Sequence, residues 1–180
     1  MAEEKKERWM TYMAISTILI AVAATLSTFK GGGFSTRSLL NQTKASDEWA
    51  FYQSKSIKSY IYDMRKENLE LQTELLKKDK TNDAVVKKYE TLIADYEAKI
   101  KGYEKEKEEI STLAKGFENL RDESKRHSDK FGIGVIFLQI SILLSSIATL
   151  SKKKFVWFCS LALGIVGIFY FVDGFFLFMV

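Results

Sequence analysis

Trp9–Phe29, WMTYMAISTILIAVAATLSTF, runs for 21 residues without a charge. At about 1.5 Å per residue a helix of that length spans about 31 Å, close to the ~30 Å hydrocarbon core of a bilayer. Two more runs share its character. Phe131–Ser151 is again 21 residues with no charge, and Phe155–Val180 is 26 residues with Asp173 as its one charge. A run of that second length makes about 39 Å of helix, longer than a bilayer needs, so it would tilt or protrude. Lys30–Lys130 is the opposite, with 21 Lys/Arg against 19 Asp/Glu. The overall 47% hydrophobic and 28% charged residues therefore average two segregated populations. Proline is absent from the 180 residues, although usage near 5% would supply roughly nine. That favours long uninterrupted helices over a turn-rich β fold.

The prediction is an all-α membrane protein, with three transmembrane helices and a long antiparallel coiled-coil hairpin between the first and second. Residues 1–8 form an N-terminal tail, 9–29 the first span and 30–130 the hairpin domain with its turn near 79–83. The second span is 131–151, a short basic loop is 152–154, and the third span is 155–180. The first run is read as an anchor rather than a cleaved signal, because it is long for a signal core and three glutamates precede it. Gly31-Gly32-Gly33 is expected to stop the first helix and act as a hinge. No Lys-Ser/Thr closes it into a phosphate loop.

Within the hairpin, Ile57, Ile61, Met64, Asn68, Leu71 and Leu75 make an i, i+4, i+7 stripe on the first arm. Trp49, Phe51 and Tyr52 form an aromatic cluster ahead of it. On the second arm Tyr89, Tyr96, Tyr103, Ile110 and Phe117 recur every seven residues. Leu92, Leu113 and Leu120 follow three residues later in the repeat, with Lys99 and Glu106 interrupting that column. Val86, Ile93, Ile100 and Ala114 lie four later. Repeats of this length predict a coiled coil, and two amphipathic arms joined by Asp79–Asp83 predict an antiparallel hairpin. The charge runs are read as solvated outer faces.

The loop Ser151–Lys154 carries three lysines and is short enough for the positive-inside rule to act. It is expected in the cytoplasm with the N-terminus, which leaves the hairpin and the C-terminus on the far side.

The string NQTKASDEWAFYQSKSIK at 41–58, after GGGFSTRSLL, together with LQISILLSSIATLSKKKFVW after the single His127, resembles an uncharacterised family of small bacterial three-span membrane proteins with a helical insert, a domain of unknown function. The resemblance covers roughly 9–62 and 127–168. It implies a bacterial inner-membrane protein with three spans and a helical insert, and it implies no activity.

Few residues could carry chemistry. Net charge is +4 and the signs alternate, so a nucleic-acid footprint is not expected. Cys159 is the single cysteine and His127 the single histidine; no disulfide pair, metal set or nucleophile–base motif can be assembled. His127 reads as an interface residue whose ordinary pKa of about 6.5 would permit a pH response. Gln139, about 12 Å into the second span, needs a hydrogen-bond partner and is read as packing glue within or between protomers. Asp173, near the far end of the third span, is read as an interfacial anchor. Thr17, Ala21 and Thr25, and Ser160 with Gly164, are small-residue stripes that let helices approach. The expected function is a non-enzymatic, homo-oligomeric scaffold or interaction module with no cofactor. Its partners are the lipid bilayer, other copies of itself and a protein met through the hairpin. Trp49, Tyr52, Tyr89, Tyr96, Tyr103, Ile110 and Phe117 are the expected assembly residues. The rival expectation is a small channel or transporter subunit with a polar ring at Gln139.

Overall fold

The computed structural model describes residues 2–77 and 83–179, with side chains from Arg8 onward. The chain forms α1 (Ala2–Leu76), α2 (Asp83–Ser151) and α3 (Lys154–Phe176), and no strand occurs among the described residues. Each of the three is long and apolar enough in part to cross a membrane. The expected turn at 79–83 lies, apart from Asp83, outside the described residues.

Residues 2–8 are the first turns of α1. Two expectations are corrected. Gly31–Gly33 neither stops α1 nor hinges it; the helix continues through them, and no described glycine has a positive φ. The reason lies in packing. A Cβ on Gly31 would stand 3.0 Å from Phe131 Cβ, so the missing side chain allows close approach. The third helix stops at Phe176, where Leu177 takes a left-handed conformation and donates its N–H to Asp173 O at 2.7 Å.

The chain divides into two compact units, Met1–Leu40 with Leu120–Val180, and Asn41–Asn119. In the first, pairs of contacts descend α1 as they ascend α2. Thr17 Oγ1 donates to Ser145 Oγ at 2.8 Å, Ser27 Oγ to Phe131 O at 3.0 Å and Ser38 Oγ to Arg121 O at 3.1 Å. The two segments are therefore antiparallel. α3 packs against both, with Ser141 Oγ donating to Ser160 O at 2.7 Å and Trp157 Nε1 to Ser16 Oγ at 3.3 Å. Buried positions follow spacings of three and four: Met13, Ile20, Ala24, Ser27 and Gly31 on α1, and Phe131, Gly134, Leu138, Ser141, Ser145 and Ala148 on α2.

In this unit the interior is small and partly polar, while the surface is large and apolar. Ser27, Ser141, Ser145 and Ser160 are buried, whereas Ile18, Leu19, Leu143, Leu150 and Ile165 are each more than 60% exposed. The hydroxyls of Ser27, Ser141, Ser145 and Ser160 each have a partner across a helix interface. Gly164 and Gly167 bring backbones together; a Cβ on Gly167 would meet Leu138 Cγ at 2.7 Å and Leu138 N at 3.0 Å.

The second unit pairs α1 with α2, again antiparallel. Trp49 Nε1 donates to Glu118 Oε1 at 2.9 Å, Ser59 Oγ to Glu104 Oε1 at 3.0 Å, and Lys77 Nζ lies 2.9 Å from Glu90 Oε1. Ala45, Ser59, Thr73 and Ala114 are buried there, all of them small, so the larger aromatic rings beside them are only half-buried.

Candidate functional site

Two clusters concentrate polar and aromatic side chains. The first gathers at the end of α3. Asp173 is fully buried, although the sequence led us to expect an interfacial anchor. The chain folds back after Leu177 so that Met179 N–H donates to Asp173 Oδ1 at 3.0 Å. Lys130 Nζ stands 3.1 Å from Oδ2 and also donates to Met179 O. Oδ2 has no aligned hydrogen bond, so this ion pair is what compensates its burial. One helical turn before Lys130, His127 Nδ1 donates to Gly174 O at 2.8 Å, which assigns the proton to that nitrogen because a carbonyl can only accept. The His127 ring stacks on Phe34 with centroids 4.5 Å apart, and Phe34 in turn stacks on Phe131 at 5.9 Å. Phe131 is fully buried and meets Phe175 edge-on at 5.0 Å. The arrangement latches the end of α3 to α2 through one ion pair, one imidazole and a ring stack. Sequence reasoning missed the partnership of Lys130 with Asp173, because their 43-residue separation carries no periodic signal.

Gln139 is exposed on the outer face of α2. Its amide therefore does not join helices of its own chain. Buried serines and Thr17 do that instead. The spacing of Ser141 and Ser145, one turn apart, was the available signal.

The second cluster is the aromatic seam of unit Asn41–Asn119. Tyr89, Tyr96, Tyr103, Ile110 and Phe117 are all half-buried along one face of α2. The column four later, Val86, Ile93, Ile100 and Ala114, shares that face and includes Lys107. The column three later is turned mostly outward, with Leu113 55% and Leu120 49% exposed, Leu92 half-buried, and Lys99 and Glu106 at exposed positions. Tyr62 supplies what the seam needs from α1, lying 5.4 Å from Tyr96 and 5.9 Å from Tyr103. Trp49 and Tyr52 meet edge to face at 5.5 Å.

Lysines cover these rings. Lys55 lies 5.6 Å from the Tyr103 centroid, Lys107 5.6 Å from Tyr52, Lys99 5.2 Å from Tyr62 and Lys44 5.4 Å from Phe117. Such contacts are worth about 0.5–1 kcal/mol at exposed sites. The hydrogen bond from Lys55 to Glu106 holds that ammonium's pKa above its ordinary value, and Asp95 does the same for Lys99. Lys107, helped by Ser59, holds the Glu104 carboxyl below its ordinary value, as Arg121 does for Asp122.

The apolar stripe of the first arm does not take part in this seam. Ile57, Ile61, Met64, Leu71 and Leu75 are 43–67% exposed. Small and polar residues of α1 face α2 instead: Asn41, Ala45, Ser59 and Thr73 are the buried ones.

Among the described residues no group of three or more His, Cys, Asp or Glu could hold a metal ion. A family model described as Domain of unknown function (DUF4337) matches residues 9–177. No curated protein and no solved structure matches the chain.

Proposed function

The chain belongs to the DUF4337 family, whose description names no activity, and we propose that it is a non-enzymatic integral membrane protein, a homo-oligomeric scaffold that projects a coiled coil from the bacterial inner membrane. The observation that carries this reading is the reversed polarity of the unit built from the three apolar segments. Serine hydroxyls and glycines lie inside beside a few large side chains such as Phe131 and Leu138, while most isoleucines, leucines and phenylalanines lie outside. Water would drive large apolar side chains inward. In hydrocarbon that force vanishes, and helices associate through small residues and interhelical hydrogen bonds. The heptad rhythm of Tyr89, Tyr96, Tyr103, Ile110 and Phe117 supports a coiled-coil hairpin in the other unit.

For topology, we assign Lys152–Lys154 and the N-terminus to the cytoplasm, and the hairpin and C-terminus to the periplasm, by the positive-inside rule. The test uses a Cys159→Ser background with a single Lys101→Cys substitution. Intact spheroplasts treated with a membrane-impermeant thiol reagent should label this cysteine. Labelling only after lysis would reverse the orientation.

A second reading is favoured by the outward amide of Gln139. Several copies could gather it into a polar ring, making the protein a small channel or transporter subunit. Wild-type ion flux in proteoliposomes that Gln139→Leu abolishes would establish that reading. Absent flux in both would support the scaffold.

A further inference from the structure

The exposed stripe on α1 has a grammar of its own. Ile57, Ile61, Met64, Asn68, Leu71 and Leu75 are spaced four, three, four, three and four residues apart. This is the a/d alternation of a coiled coil, with Ile61, Asn68 and Leu75 at a, and Ile57, Met64 and Leu71 at d. Yet α2 of the same chain does not cover it, and the apolar members remain 43–67% exposed. A groove of about 480 Å³ runs beside it, lined by Ile61, Met64, Asn68 and Gln72 together with Leu92 and Tyr96 of α2.

We propose that this stripe is the seam through which a second copy of the chain docks, as a parallel, in-register helix pair centred on Asn68. The charges flanking the seam select this occupant and direction. Lys58 and Arg65 stand at e, whereas Glu67 and Glu74 stand at g, all four exposed. A parallel pair sets g of one copy against the e position five residues later on the other, so within the seam Tyr60 meets the guanidinium of Arg65 and Glu67 meets the amide of Gln72, with no like charges opposed. An antiparallel pair centred between Ile57 and Leu75 sets g against g and e against e, opposing Glu67 to Glu67 and Arg65 to Arg65. Asn68 points the same way. In parallel register it faces its own counterpart, where amide bonds to amide across the seam; in the antiparallel alternative centred between Ile57 and Leu75 it would face Met64 and leave a polar group against a thioether. A lone asparagine at a is the device that fixes register and restricts a coiled coil to two strands. Gln72 Nε2 already donates to Asn68 Oδ1 at 2.9 Å, which orients the amide and leaves its own N–H groups for the partner.

The seam is short, about 28 Å from Ile57 to Leu75. Here the proposal rests on the membrane reading, because copies inserted the same way round present their stripes in parallel and at high effective concentration.

Disulfide mapping in native membranes tests it. In the Cys159→Ser background, Leu71→Cys or Met64→Cys should form an intermolecular disulfide under mild oxidation, several-fold more than Lys101→Cys on the exposed face of α2. Co-expression of differently tagged Ile57→Cys and Leu75→Cys chains should give same-site pairs. A predominance of the mixed pair would establish the antiparallel arrangement and overturn the proposal. Asn68→Ile should raise the temperature at which the cross-linkable assembly is lost and admit species larger than a dimer; an unchanged melting point and size would count against the register role. Light scattering in mild detergent separates the two levels of the reading. An oligomer that persists while Leu71→Cys and Met64→Cys cross-link no better than Lys101→Cys overturns the seam alone. A monomer with no cross-link at any site overturns the homo-oligomer as well.

Discussion

Tyr96 and Leu138 stand six heptads apart on α2, at equivalent points of the same three-and-four rhythm. Leu138 is fully buried and lies so close to α3 that only glycine fits at position 167. Tyr96 is half-buried against Tyr62, with Lys99 lying 5.8 Å from its ring centroid. One helix thus serves two kinds of interface. In the unit of Met1–Leu40 and Leu120–Val180 the helices are joined by hydroxyls, glycines and one buried ion pair. In Asn41–Asn119 they are joined by aromatic rings whose exposed edges are covered by lysine stems and capped by surface ion pairs. Seven-residue spacing specifies that a helix has a seam. The residues placed at the seam set its chemistry.

The largest expected effect is at Lys130. Lys130→Met strands the buried Asp173 carboxylate, and breaking one side of such a pair should cost about 3 kcal/mol, the low end of the usual range because Lys130 keeps some exposure. Unfolding titrated with denaturing detergent would measure it. Lys130→Met combined with Asp173→Leu should recover much of the loss, and a double variant as weak as the single one would contradict the ion-pair account.

Next is overpacking at the glycines. Gly167→Leu must displace Leu138 and its backbone, for about 1–3 kcal/mol of destabilisation. Gly116→Leu, in the other unit, meets nothing within 4 Å and should be neutral or stabilising by up to about 1 kcal/mol through helix propensity. Equal losses at both sites would erase the distinction between the two seams.

A smaller effect is expected in the aromatic seam. Tyr62→Leu keeps apolar bulk but removes two ring pairs, worth about 0.5–1.5 kcal/mol each beyond their area. The thermal midpoint of helicity should fall, and Tyr62→Phe should restore it.

The smallest concerns acid. The Glu104 carboxyl titrates below its ordinary value because of Lys107 and Ser59. Its contribution to stability is therefore complete above the ordinary carboxylate range and is lost as pH falls through the lowered folded-state value. Helicity should decline slightly below pH ~4, the ordinary glutamate range, and Glu104→Gln should flatten that part of the curve. Because Glu104 is exposed, added salt should shrink the effect as well.

Much of the fold was legible along the chain. Uncharged runs of membrane-spanning length, absence of proline and a tyrosine every seventh residue are local properties, and local properties decide where helices form. The same signals misled at Gly31–Gly33, where a turn former was read as a break. A tripled glycine costs helix propensity, but at Gly31 α1 approaches Phe131 so closely that an added Cβ would stand 3.0 Å from it.

The sequence alone determined that the chain is all-helical, where its apolar segments lie, and that each long helix has apolar faces repeating at heptad spacing. Tertiary structure decided what those faces meet. Periodicity defines a face without naming its neighbour, so the richest apolar stripe, Ile57 to Leu75, was free to turn outward while Ala45, Ser59 and Thr73 turned in. It also decided the fate of single polar groups. Asp173 and Gln139 both stand in apolar runs, and composition treats them alike. Only the packing of three helices buries the carboxylate beside Lys130 and leaves the amide outside, because a hydrogen bond or ion pair depends on distances between residues far apart in the chain.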